Sequence, residues 1–236
     1  MPLDVVTLGQ RFVELDYATG MVGKWHLEID QQSREWLAEN HPELNQEDDA
    51  VSKIPLSEQR TYFPDMRGYQ DTYFGYHREY WATFDTKGNS RAASYIQDSA
   101  YRVDAVSNAA VKFIERHWQR PFYLHVAHFA PHVPLVATQR YLDRFPDDME
   151  MRRKHALAMM SAIDDGVGSI METLDKYQIT GNTLVFFVGD NGAPLGPDMT
   201  DAPISDNWEP WDGSLNTPLT GEKGMLTDGG IRAHCI

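Results

Sequence analysis

Three short apolar stretches, "YATGMVGKWHL", "PFYLHVAHF" and "TLVFFVGD", limit what this chain can fold into more than anything else in its sequence. Their β-branched, aromatic and aliphatic residues run nearly without interruption, the pattern of strands covered on both faces. Helical periods separate them. In "SYIQDSAYRVDAVSNAAVKFIERHW", Tyr95, Tyr101, Val106, Ala110, Phe113 and Ile114 share one helix face. "MRRKHALAMMSAIDDGVGSIMETLDKY" reads as a second long helix, in which Gly166 and Gly168 are tolerated at some cost. A shorter helix, with Thr7 as N-cap and Val6, Leu8, Phe12, Val13 and Leu15 at mostly helical spacing, precedes the first strand. Strands alternating with helices specify an α/β fold, a mostly parallel sheet sandwiched between helices.

Length allows one sizeable core, since 236 residues lie close to the size of a single domain. Residues 31–87 break the alternation. They are polar, interrupted by Pro42, Pro55 and Pro64, and rich in aromatics, and they read as a long surface excursion. Charge removes whole classes of partner: 21 Lys and Arg against 35 Asp and Glu give a net charge of −14. Such a field repels phosphate backbones and anionic bilayers, so no nucleic-acid partner is expected. No apolar run reaches membrane-spanning length, and the opening residues lack the basic start and apolar core of a signal peptide. The single cysteine, Cys235, excludes an intrachain disulfide and any all-cysteine metal cluster.

In an α/β sheet, ligands gather at the carboxyl ends of the strands. The three apolar stretches end in "GKWHL", "APHVPL" and "GDNGA", which puts Lys24, His26, His132, Asp190 and Asn191 along one rim. Lys24 and His26, two apart, point to the same face of an extended chain. His132 sits between two prolines that stiffen its loop. Asp190 and Asn191 offer hard oxygens, suited to Ca²⁺ or Mg²⁺. Lys223 lies among glycines in "TGEKGMLTDGGIR", where backbone approaches a ligand closely. Each has a plain structural reading as well: a turn for Asp-Asn-Gly, a solvated lysine, a packed histidine, a surface hairpin around Lys223. Taken together they describe a cationic pocket with a metal, able to hold a tetrahedral oxyanion. No phosphate loop, dinucleotide fingerprint, nucleophile elbow or His-Glu-x-x-His helix occurs.

At these residues the chain resembles the formylglycine-dependent sulfatases of the alkaline phosphatase superfamily. The resemblance rests on "DYATGMVGKWHLE", "RGYQDTYFGY", "RPFYLHVAHFAPHVPL", "TLVFFVGDNGAP" and "LNTPLTGEKGMLTDGGIR", in the family's order from about Leu3 to Arg232. It implies an alkaline phosphatase-like fold and a role for each residue. Lys24 contacts the nucleophile or the sulfate, and His26 orients a hydrated formylglycine. His132 donates to the ester oxygen. Lys223 grips the sulfate, and Asp190 with Asn191 ligates a metal, Ca²⁺ before Mg²⁺. The implied substrate is a sulfated glycan or small molecule. Rival readings are a phosphate or phosphonate monoester hydrolase of the same superfamily and a non-catalytic relative that binds sulfated glycans.

One departure is large. The family's nucleophile arises from a cysteine in Cys-x-Pro-x-Arg ahead of Gly-Lys-Trp-His, and no such motif is present. Cys235, followed only by Ile236, does not replace it. The expectation is that residues 1–236 are an internal part of a catalytic domain, inactive by themselves. The nucleophile, the remaining metal ligands and a smaller C-terminal subdomain would then lie elsewhere in the full-length parent. The resemblance also implies a periplasmic or extracellular setting for that parent. Aromatics in "YFGYHREYW", with Trp208 and Trp211, are candidates for the substrate rim.

Overall fold

Glycine and alanine in "ATGMVG" leave room for other elements to close on both sides of this strand. A computed structural model describes residues 2–30, 33–45, 47–194 and 215–236. The chain divides into two units, Met1–Ser99 with Asn108–Ala127, and Ala100–Ser107 with His128–Ile236. Its strands are β1 (Ala18–Gly23), β2 (Asp71–Phe74), β3 (Glu79–Phe84), β4 (Ser90–Gln97) and β5 (Phe122–Ala127). Its helices are α1 (Leu8–Glu14), α2 (Arg34–Asn40), α3 (Ala50–Lys53), α4 (Leu56–Gln59), α5 (Arg102–His117), α6 (Gln139–Leu142), α7 (Met151–Lys176) and α8 (Asp228–Ile231).

The first unit holds a five-stranded sheet in the order β4-β3-β2-β1-β5. β1 is buried throughout and pairs in parallel with β2 and β5, while β2–β3 and β3–β4 are antiparallel. Helices cover opposite faces of β1 and β5. Phe12 of α1 stacks on Tyr123 at 4.3 Å, and Tyr123 is in register with Thr19. The neighbouring Gly20 looks the other way, and a Cβ there would lie 2.4 Å from the Phe113 ring of α5. A Gly20→Ala change would therefore force α5 off the strand, at a cost of about 1–3 kcal/mol. Met21, Trp25, Phe63, Tyr69, Phe74 and Trp81 form the core on the Tyr123 side. On β2, Asp71 accepts hydrogen bonds from His117 (2.7 Å) and Arg116 (2.9 Å). Burial alone would raise this carboxyl; the hydrogen bonds from His117 and Arg116, with the Arg116 charge, outweigh it and hold the pKa below the usual range.

Thr7 caps α1 as expected, in a full capping box with Gln10, and its hydroxyl donates to Arg67 O at 2.6 Å. Of the expected apolar face of this helix, Phe12 packs on the sheet and most of the rest does not. Leu8, Val13 and Leu15 are exposed, and the close approach is made by Gly9, where a Cβ would sit 2.9 Å from Gly68 O and the Tyr69 ring. Tyr95 belongs to β4 rather than to the helix that carries Phe113; the helix begins at Arg102. Residues 31–87 are not all surface excursion. Their aromatic tail supplies β2 and β3: Tyr73, Tyr80 and Phe84 pack against each other across this pair, and Trp81, on the other face of β3, packs against Phe63 at 5.3 Å.

The second unit is built on α7. Ala156, Met159, Ala162 and Ile163 recur at helical spacing and form a core with Val103, Val133, Leu135 and Tyr141. Gly166 is there for contact: a Cβ would meet Ser107 Oγ at 2.1 Å, whereas Gly168 faces open space. The third apolar stretch departs from expectation. Residues 183–188 join no sheet among the described residues; an isolated bridge pairs Val188 with Cys235, and Phe187 exchanges both backbone hydrogen bonds with Ile236. One antiparallel partner of three residues covers neither face, so Leu184 is 80%, Phe186 69% and Val188 59% exposed.

Candidate active site

In the first unit, β1 ends at Gly23, whose φ of 99° turns the chain where an L side chain would be strained. Lys24 then donates its N–H to Ala127 O at 2.7 Å and is half-buried. Trp25 anchors the turn from within, its indole N–H donating to Tyr62 O at 2.8 Å. His26 is exposed and adopts a left-handed φ of 56°. The segment is therefore not extended, and a spacing of two does not set the relative direction of Lys24 and His26.

Tyr76, one of the aromatics considered for the substrate rim, holds His26 in place. Its backbone N–H donates to Tyr76 Oη at 3.0 Å, and Tyr76 in turn donates to the Glu28 carboxylate. The Tyr76 phenol is held protonated far above its ordinary range, by burial first and by the Glu28 charge second. His26 Nε2 lies 3.6 Å from an Asp30 carboxylate oxygen. Backbone conformations of this kind cost about 1–3 kcal/mol and persist where neighbours over-determine them. Tyr76 and Glu28 are those neighbours.

In the second unit, His132 sits on a loop gripped from α5. The Arg102 guanidinium lies 4.3 Å from the Phe129 ring centroid and donates to Pro134 O at 2.7 Å, holding both sides of the histidine. His132 Nδ1 is 2.7 Å from Val133 O. A carbonyl only accepts, so Nδ1 carries the proton and Nε2 is the nitrogen left for chemistry.

Asp190, Asn191 and Lys223 belong to one cluster of loops. Asn216 binds both polar groups of Ala193, accepting from its N–H at 2.8 Å and donating to its carbonyl at 2.8 Å, and also donates to Gly221 O at 3.0 Å. Lys223 N–H donates to Ala193 O at 3.2 Å, and Gly192 N–H to Gly230 O at 2.9 Å. Glycine is required for this closeness: a Cβ on Gly192 would fall 1.7 Å from Gly229 O, and one on Gly230 would fall 2.1 Å from Met225 O. The Asp190 carboxylate is exposed, Asn191 is half-buried and Lys223 is exposed.

The sequence-derived residues thus divide: Lys24 and His26 in one unit, and in the other the Asp190, Asn191 and Lys223 cluster, with His132 on a separate loop. Hard oxygens alone make up the Asp190–Asn191 donor set, which suits Ca²⁺ or Mg²⁺, and two ligands are fewer than the 6–8 that Ca²⁺ takes. Among the described residues, no group of three or more His, Cys, Asp or Glu is arranged to hold a metal. Trp208 and Trp211 lie outside the described residues. No described helix is long and apolar enough to cross a membrane.

A family model described as Sulfatase matches residues 2–221. Arylsulfatase J of Mus musculus is 28% identical over 236 residues, covering 99% of this chain and 34% of the relative. N-acetylgalactosamine-6-sulfatase of Canis lupus familiaris is 28% identical over 94% of this chain and 37% of its own length. Among solved structures, Ps i-CgsB in complex with k-i-k-neocarrahexaose superposes with a TM-score of 0.70 at 25% identity, over 99% of this chain and 47% of that one. The chain therefore spans little more than a third of the length of these curated relatives.

Proposed function

The chain belongs to the sulfatase family, and from that premise we propose that it forms part of a sulfuric ester hydrolase acting on a sulfate monoester of a glycan or an aryl alcohol. The observation that carries this reading is the Asn216-stitched cluster, which joins the Asp190–Asn191 oxygen pair to the Lys223 loop. A hard cation beside a lysine is what a sulfonate needs from a protein. Relatives named for N-acetylgalactosamine-6-sulfatase activity, and a neighbour bound to a neocarrahexaose, favour a sulfated glycan.

Lys24 and Lys223 hold the sulfonate oxygens, and His26 orients the nucleophile. His132, doubly protonated, delivers the Nε2 proton to the alcohol oxygen as the sulfur–oxygen bond breaks. Asp190 and Asn191 contribute oxygens to the cation, Ca²⁺ in preference to Mg²⁺, which when bound would stabilise charge building on the sulfonate. The nucleophile is a formylglycine, made from a cysteine in a stretch outside this sequence, in a periplasmic or extracellular parent.

The test uses the parent protein carrying both this chain and a Cys-x-Pro-x-Arg segment. Aryl sulfate should be turned over faster than aryl phosphate, and Lys24→Ala and Lys223→Ala should each lower kcat about 100-fold. Preference for phosphate would reassign the reaction, and binding of a sulfated glycan without turnover would make the protein a lectin-like relative.

A further inference from the structure

Arg152, in the first turn of α7, is 4% exposed. Its Nε, Nη1 and Nη2 are all buried without a hydrogen-bond partner. Among the described residues it is the one arginine with all three nitrogens in that state. A guanidinium keeps its proton even when buried. A buried cation of this kind demands a counter-charge.

Two acids beside this turn, Glu150 and Asp147, have other partners. Glu150 caps α7, one carboxylate oxygen accepting from Arg152 N–H at 3.0 Å and the other from Arg153 N–H at 2.7 Å. Asp147 pairs with Lys154 at 2.8 Å. Arg152 continues the face of α7 that carries Ala156, Met159 and Ile163 into the core.

We infer that Arg152 is the anchor of an anion site, taking an oxyanion with two or more equivalent oxygens, sulfate or carboxylate, in bidentate fashion. The planar fork of the guanidinium matches that geometry. The inference stands whether or not the hydrolase reading does. The helix N-terminus does not supply it, because Glu150 already occupies the first-turn N–H groups.

Thermal unfolding of the 236-residue chain tests the inference, in chloride, acetate and sulfate at equal ionic strength, with Arg152→Met, Arg152→Lys and a control Arg153→Gln. Sulfate or acetate should raise the Tm of the parent sequence saturably, by roughly 5 °C at saturation, and the stronger of the two identifies the preferred anion. Arg153→Gln should keep this rise, Arg152→Lys should retain a weaker one, and Arg152→Met should lose it. In chloride, Arg152→Met should melt at the same temperature as the parent or higher, because an uncompensated charge has been removed. Equal anion-dependent rises in the parent and Arg152→Met would overturn the inference. So would an Arg152→Met chain that melts lower or fails to fold in chloride, since that would reveal a protein partner for the guanidinium.

Discussion

Asn216 grips Ala193 by both of its backbone polar groups, each at 2.8 Å, and so ties the loop after the third apolar stretch to the loop that carries Lys223. Asn216→Ala should cost about 1 kcal/mol or more, because partly buried backbone groups lose their partners. Asn216→Asp should cost more than Asn216→Ala, since a carboxylate would then face the Ala193 and Gly221 carbonyls. Thermal melts of the two variants give the order, and an aspartate variant as stable as the parent sequence would remove Asn216 from this role.

Tyr76→Phe removes the acceptor for His26 N–H and the donor to Glu28 together. Loss of one hydrogen bond of about 1 kcal/mol should speed exchange of the His26 amide about 5-fold, with the rest of β1 unchanged. Amide exchange followed by NMR reads this directly, and an unchanged His26 rate would show that the left-handed turn holds itself.

His132→Ala should hurt poor leaving groups most in the parent enzyme, because an alkoxide departs with a proton whereas a nitrophenolate needs little help. The loss in kcat should track leaving-group pKa across a series of alkyl and aryl sulfates. Equal losses throughout would assign His132 to shape rather than to proton transfer.

His128 supplies a pH dependence. Both its ring nitrogens are buried and unbonded although part of the residue is exposed, and burial lowers its pKa to about 4. An unfolded histidine titrates near 6.5, so the unfolded chain binds more protons between those values. Stability therefore falls as pH drops from about 6.5 to 4, by roughly 3 kcal/mol at the low end. His128→Leu should flatten the change in melting temperature between pH 7 and pH 4.5, and a variant as acid-sensitive as the parent sequence would refute this.

The parts of the fold that could be read from sequence are those whose signal is local. Thr7 as an N-cap, the long period of α7 and the apolar runs of β1 and β5 each carry their own evidence, and all formed as expected. What failed depended on partners far along the chain. Tyr95 fits a helix face until β3 is known to lie beside it, and the aromatics of residues 71–84 look like surface until they pair. Site residues followed the same division. Charged residues that follow an apolar run announce themselves, whereas Tyr76, Asn216 and Arg102 act through a backbone N–H, a peptide unit and a carbonyl that no local pattern reveals.

Leu184 to Val188 leaves an adhesive strip in water, five apolar side chains in a row with a three-residue backbone neighbour. Solubility rather than folding free energy then sets the concentration at which this chain can be handled, because strips of this kind find one another before they find anything else. A lone lysine at Phe186, a gatekeeper in the middle of the run, would change how long a solution stays clear while leaving the melting temperature almost where it was.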